Sequence, residues 1–300
     1  MGWPPRQARV TGVDREHVAW LLSLRGDRDL AQAWRDGRAS GLRAATMRRL
    51  AGVAVLCGLL DDAAALPATL REAPLAVRDG LAGEIAAVRQ LHGAASHDLI
   101  DRRRQAEVVV HGEGTLAESV SLSLAGAGIG SVVRMAPLRS TSRRHRRAAA
   151  RQACHVLCTS VHPDAAADTD AMAMDVPHLA VAAAGPQAVI GPLVIPGATS
   201  CLRCRDLHLA DADPSWPRVA VQWSVRRAAP VAAGLAQLAG AWAALQVIAL
   251  VDAGHAIPEL PTLDGAVVIT LPSAAPELVP RPAHPLCGCG WPRTGHGLGA

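Results

Sequence analysis

The chain has 300 residues, half of them apolar and 19% charged, which is ample for a packed core and wrong for a disordered chain. A formal net charge of +4 is too small to argue for nucleic acid, and seven cysteines, an odd number, make no disulfide framework. A reducing cytoplasm fits that cysteine usage, and Met1-Gly2-Trp3-Pro4-Pro5 lacks the apolar core of a signal peptide. Lysine, asparagine, phenylalanine and tyrosine are absent, a bias toward GC-rich codons. No lysine is therefore present to hold a phosphate or form a Schiff base.

Residues 7–62 read as a small helical unit. Asp14 stands ready to cap a helix with Val18, Leu21, Leu22 and Leu24 at helical spacing. Arg25-Gly26-Asp27 reads as a turn. A second helix carries Leu30, Ala33 and Trp34, and a third runs through Leu50, Val53, Leu56 and Leu59. With a candidate strand at Ala8–Val10, this fits a winged helix. A DNA reader places several basic residues on its third helix. Here Arg43, Arg48 and Arg49 give way to the apolar run Ala51–Cys57, which argues against DNA. Residues 66–100 read as a connector with one helix around Leu75–Leu91.

The pattern then changes. Glu107–His111 reads as a buried strand. Gly112-Glu113-Gly114 follows, then a helix through Leu124, then a second strand at Ser131–Val133. Strand, Gly-x-Gly turn and helix open a Rossmann-type βαβ unit, with Gly112, Gly114 and Ala117 at the fingerprint positions. Such a fold does not establish a ligand. A nucleotide site of this kind wants a carboxylate near the end of the second strand, to hold a ribose. Residues 119–163 contain no Asp or Glu. They carry Arg134, Arg139, Arg143, Arg144, Arg146, Arg147 and Arg151 instead, read as a solvated loop with a phosphate patch as the alternative.

A third strand is expected at His155–Cys158 and a fourth near Leu179–Ala183. Cys57, Cys154 and Cys158 read as inert structural thiols. Two cysteine pairs follow, Cys201-Leu-Arg-Cys204 and Cys287-Gly-Cys289, and together they suit one tetrahedral, structural zinc. His284 or His296 is an alternative for one sulfur. His208, Asp211 and Asp213 make a polar cluster, read as a surface loop held by Trp216 and Pro217, with a second metal site as the alternative. Val231–Val251 runs 21 residues without a charge, long enough to span a membrane. Its Ala, Gly and Gln content and its soluble flanks favour a buried helix, which also offers a homodimer interface.

The segment through Cys201-Leu-Arg-Cys204-Arg-Asp-Leu-His208, with Asp213-Pro-Ser-Trp-Pro217 and the ending His284-Pro-Leu-Cys287-Gly-Cys289, resembles the ThiF/MoeB superfamily of ubiquitin-activating-type adenylyltransferases. Closest are the ThiF-like proteins of azole-peptide (TOMM) clusters, which make ribosomally produced, modified peptides (RiPPs). The resemblance implies an α/β chain. Residues 1–65 would be a winged-helix-like peptide-recognition domain, 66–104 a helical connector, and 105–300 a Rossmann-like ThiF-type domain with a structural zinc at Cys201, Cys204, Cys287 and Cys289. It implies a precursor leader peptide and a YcaO-type enzyme as partners. Active members keep an Asp at the end of a strand matching His155–Cys158. Here the aligned position is Val161, with Asp164 three residues late. The expectation is a cytoplasmic, non-catalytic scaffold without catalytic residues, its Gly112–Ala117 turn vestigial and ATP binding doubtful. The alternatives are an active ATP-dependent adenylyltransferase and an NADP-dependent oxidoreductase.

Overall fold

The structure is a computed structural model, and it describes residues 11–24, 28–57, 60, 66–136, 152–159, 165–224 and 230–290. Several sequence expectations lie outside these residues: the Ala8–Val10 strand, the Arg25–Asp27 turn, Leu59, the arginines at 139–151, Val161, Asp164 and His296. The chain divides into two compact units, Met1–Asp101 and Arg102–Ala300.

In the first unit, α1 (Arg15–Leu22), α2 (Leu30–Ala39) and α3 (Ala44–Leu56) enclose Trp20, Leu42, Met47 and Ala51. Asp14 sits at the N-cap of α1 without a side-chain bond to the helix. Asp29 does cap α2, accepting from the Gln32 N–H at 2.6 Å. The Trp20 indole donates to Ala33 O at 2.9 Å, and Gly37 lets the helices close, since a Cβ there would lie 2.5 Å from Met47 Sδ. His17 is buried and accepts the Arg43 N–H at 3.1 Å, tying α1 to the start of α3. Three helices and no strand are found among the described residues 11–57. The connector holds α4 (Leu75–His92) as expected, and also α5 (Ser96–Gln105); Leu70, Leu81, Val88 and Ile100 form its own small core. Helix α5 escapes the apolar pattern because it is mostly charged, with Arg102, Arg103 and Arg104 in the last turn, where cations complement the helix dipole.

The second unit is built on one seven-stranded sheet in the order β2-β1-β3-β4-β5-β6-β7. The strands are β1 (Glu107–His111), β2 (Ser131–Met135), β3 (Gln152–Thr159), β4 (His178–Ala184), β5 (Gln187–Val194), β6 (Gly265–Thr270) and β7 (Pro276–Pro280). The first four are parallel and the rest antiparallel. The inner parallel strands, β1, β3 and β4, are apolar runs because both faces are buried, whereas the edge strand β2 exposes Val133 and Arg134. Val108, Val110, Val156, Leu179 and Val181 face the core cluster that includes α6 (Gly114–Gly126) and α10 (Ala233–Ala253). The opposite face carries Val109, His111, His155, Leu157 and His178, buried as well.

Helix α10 is the one described helix long and apolar enough to cross a membrane. In the structure it packs on α6, β4 and β5, leaving Leu238 and Leu245 exposed. Gly240 permits the close crossing with α6: a Cβ there would meet Ser119 Oγ at 2.5 Å. The buried Arg103 anchors the far end of α10, pairing with both Asp252 oxygens at 2.7 and 2.6 Å and donating to Ala127 O at 3.2 Å.

Two expectations for residues 208–217 are corrected. They are not a loop: α8 spans Leu202–Ala212 and α9 spans Trp216–Ser224, joined by the turn at 213–215. Pro217 sits in the first turn of α9, where a missing N–H costs nothing. Asp213 is also outside the polar cluster. It accepts from the Ser215 side chain at 2.6 Å and its N–H at 2.9 Å, which hold its carboxyl below the usual range.

Candidate functional site

Chain order runs from β1 to β2 on one side and then to β3 on the other, so the strand order reverses between β1 and β3. In open α/β sheets ligands bind outside the carboxyl ends of the strands at that point. Gly112 (φ +126°) and Gly114 (φ +78°) form the turn into α6, a backbone that favours glycine. A Cβ on Gly112 would lie 2.5 Å from Cys158 O, so the turn presses against the end of β3. Ala117 is fully buried in the core behind it.

Among the described residues, the side chains around this crevice differ from those of a nucleotide site. The described residues ending β2 are Arg134, Met135 and Ala136, and those ending β3 are Cys158 and Thr159. None is a carboxylate. Glu113 is exposed on the turn and sets a negative charge where a phosphate would approach the α6 N-terminus. Behind the turn, His111 and His155 share a hydrogen bond at 3.1 Å between Nε2 and Nδ1. Burial pushes the Cys158 thiol up to about 12, against the pull of Arg134, and the Cys154 thiol up to about 12. Neither is a nucleophile at neutral pH.

The second site is the cysteine cluster. Cys201 precedes α8 and Cys204 lies in its first turn; Cys287 and Cys289 lie beyond β7. All four sulfurs come together. Cys201 and Cys287 are 3.5 Å apart, Cys204 and Cys289 3.3 Å, and Cys201 and Cys204 3.9 Å. A tetrahedral ion with metal–sulfur bonds of about 2.3 Å spaces its ligands by about 3.8 Å. The cluster is therefore positioned to hold a metal ion, with four sulfurs and no open position.

The surroundings feed charge and donors to these sulfurs. Desolvation and the nearby Asp168 carboxylate push the Cys201 thiol far up. Desolvation also pushes the Cys289 thiol up, to about 12. Desolvation acts on Cys204 too, but backbone N–H groups of His284 and Cys201 and the neighbouring thiols bring it below its usual value. Asp168, on α7 (Ala165–Met174), is itself held by the His178 ring at 3.0 Å and the Leu202 N–H at 3.3 Å. Arg205, buried, pairs with Asp206 at 2.9 Å.

Beside the cysteines, His208 and Asp211 of α8 meet His284, which sequence reasoning offered only as a substitute sulfur. The His284 ring donates from Nε2 to Asp211 at 2.9 Å and accepts the Leu286 N–H on Nδ1 at 3.1 Å. In the first unit, a cleft of 490 Å³ opens between α1 and α2, lined by Glu16, Trp20, Ser23, Arg28, Asp36 and Leu42 among others.

Comparison with solved structures places this architecture. E. coli MccB bound to succinimide matches with a TM-score of 0.56 at 16% identity, covering 84% of this chain and 83% of that one. The fold is that of MccB. The microcin C7 biosynthetic enzyme MccB in complex with N-formylated MccA matches over 92% of this chain and 88% of that one, at TM-score 0.56 and 15% identity. A heterocyclase in complex with substrate and cofactor matches at TM-score 0.52 and 16% identity, over 85% of this chain but 33% of that one. No protein-family model and no curated protein matches the chain. That match agrees with the α/β, Rossmann-like architecture expected from the sequence.

Proposed function

We propose that this chain is a non-catalytic scaffold that binds a precursor leader peptide and presents it to a separate, YcaO-type modifying enzyme in RiPP biosynthesis. The observation that carries the reading is the crevice at the switch point. Its glycine turn keeps the shape of a nucleotide site, yet the described ends of β2 and β3 offer Arg134 and Cys158 where ribose and magnesium need acids. Adenylyl transfer depends on positioned magnesium and charge neutralisation. Gly112, Gly114 and Ala117 are then a vestigial turn.

The fold neighbours support a peptide-handling role: MccB is described with MccA and the heterocyclase with its substrate. Residues 1–65 are the proposed recognition domain, 66–104 the connector and 105–300 the ThiF-like domain. The α1–α2 cleft, with Trp20 on its wall, gives a peptide side chain a place to sit. Four thiolates favour zinc over hard cations, and the closed set makes it structural.

The test is ATP–pyrophosphate exchange by the isolated full chain, with any short peptide encoded beside its gene as candidate carboxylate. No exchange is expected, while the fluorescently labelled N-terminal part of that peptide binds. Exchange above background would make the chain an adenylyltransferase. Failure of the peptide to bind would remove the scaffold reading.

A further inference from the structure

The metal centre has a built-in brace. On α8 the spacing Cys204, His208, Asp211 steps by four and then three residues, so all three lie on one helical stripe. Opposite this stripe runs the segment that carries the second cysteine pair. His208 Nε2 donates to Pro282 O at 2.9 Å, and Asp211 accepts from His284 Nε2 at 2.9 Å. The His208 and His284 rings pack edge to face with centroids 4.7 Å apart. Thus α8 holds the C-terminal segment through three contacts that involve no ligand sulfur.

The tautomer of His284 follows from its neighbours. The Leu286 N–H points at Nδ1, so Nδ1 is the acceptor and Nε2 carries the proton that goes to Asp211. Both ring nitrogens are thereby occupied. A metal on Nε2 would force the proton onto Nδ1, against the Leu286 N–H. His284 therefore acts as a strut. Its carbonyl accepts the Cys287 N–H at 2.9 Å, closing the turn that aims Cys287 at Cys201, and its own N–H faces the Cys204 sulfur.

We propose that Asp211 is a positioning residue of the metal centre: through His284 it holds the Cys287–Cys289 turn in ligating geometry before the ion arrives. This rests on the reading of the four cysteines as a zinc site. Partners that orient ligands in this way are worth roughly 10–100-fold in metal affinity. Asp211 is well exposed, with a side chain 68% accessible, so its removal opens no cavity in the core.

The test uses the full chain, stripped of metal and titrated with zinc against a chromophoric chelator. It compares the wild type, Asp211→Ala, Asp211→Asn and Cys287→Ser, with cobalt absorption as the signature of ligand geometry. Asp211→Ala is expected to lose about 10–100-fold in zinc affinity and to shift the cobalt bands, while the stripped protein still unfolds in a cooperative transition. Asp211→Asn, whose amide oxygen still accepts from Nε2, is expected to restore most of the affinity. Wild-type affinity in Asp211→Ala, or an Asn variant as weak as the Ala variant, overturns the brace. Two zinc ions per wild-type chain, one lost in Asp211→Ala, would make His208, Asp211 and His284 a metal site and overturn it equally. No difference between wild type and Cys287→Ser would sink the zinc reading itself.

Discussion

Stripping the proposed zinc from the cysteine cluster is the most informative perturbation. The ion would join Cys201 and Cys204 to Cys287 and Cys289, and Cys204 and Cys289 lie 85 residues apart in sequence. By the chain-entropy estimate, a cross-link over such a loop stabilises by about 4.6 kcal/mol through the unfolded state. Mass action gives a similar figure, about 4.1 kcal/mol, with free zinc at 1,000 times its dissociation constant. For a unit the size of Arg102–Ala300, each kcal/mol moves the melting temperature by about 2–4 °C, so chelation should lower it by about 9–18 °C. Differential scanning calorimetry with and without a strong chelator reads this, with metal content measured in parallel. Uptake also displaces protons from thiols that burial holds up, Cys201 and Cys289. The zinc-dependent gain should therefore shrink as pH falls from 8 to 6. Complete loss of metal with no change in melting temperature would refute the clip.

Two further outcomes follow from buried groups in the same unit. Arg103→Met leaves the Asp252 carboxylate without its partner at a site where the pair is 5% and 14% exposed, and should cost about 3–5 kcal/mol in urea unfolding. The double variant Arg103→Met/Asp252→Leu should recover most of that; no recovery would mean that the pair's packing, not its charge, is what counts. Cys154 and Cys158 are raised in the folded state from 9.0 to about 12. The stability they contribute is full below pH 9.0 and is lost as pH rises toward about 12, because the unfolded thiols ionise first. The urea midpoint should fall across that window, and Cys154→Ala/Cys158→Ala should flatten the fall.

Much of the second unit was legible because its signals are local. A short apolar run, two glycines and a helix leave few ways to build β1, the turn and α6, and the Ala, Gly and Gln content of the long apolar stretch favoured a core helix over a membrane span. The cysteine pairs announced themselves by spacing. What escaped depended on contacts distant in sequence. The stretch from His208 to Pro217 read as a loop because its residues are polar, as those of surface connections are; only 213–215 is a turn, a joint between α8 and α9. The signal that identifies the second helix is Pro217 just inside its start. The antiparallel half was harder still. Pro192 interrupts β5, and β7 begins and ends on proline, which suits an edge strand but breaks the pattern by which strands are recognised. His284 could be assigned as a strut only once the fold brought it across 73 residues to Asp211.

The two candidate sites make different demands on the chain. The crevice needs acids only to do chemistry; the sheet beneath it is held by Val108, Val110, Val156 and their helices whether or not a carboxylate stands at its rim. The cysteine cluster is different, because its ligands come from two segments that no strand pairing joins. Removing one sulfur leaves three thiols around a void, and the segment after β7 then rests on the contacts of His208, Asp211 and His284 and on the Arg281 N–H, which donates to Asp264 O. A chain that gives up nucleotide chemistry can therefore lose its acids one by one at little cost in stability, while each cysteine stays under constraint. On the proposed scaffold reading, that asymmetry accounts for a glycine turn flanked by Arg134 and Glu113 beside a complete four-cysteine cluster.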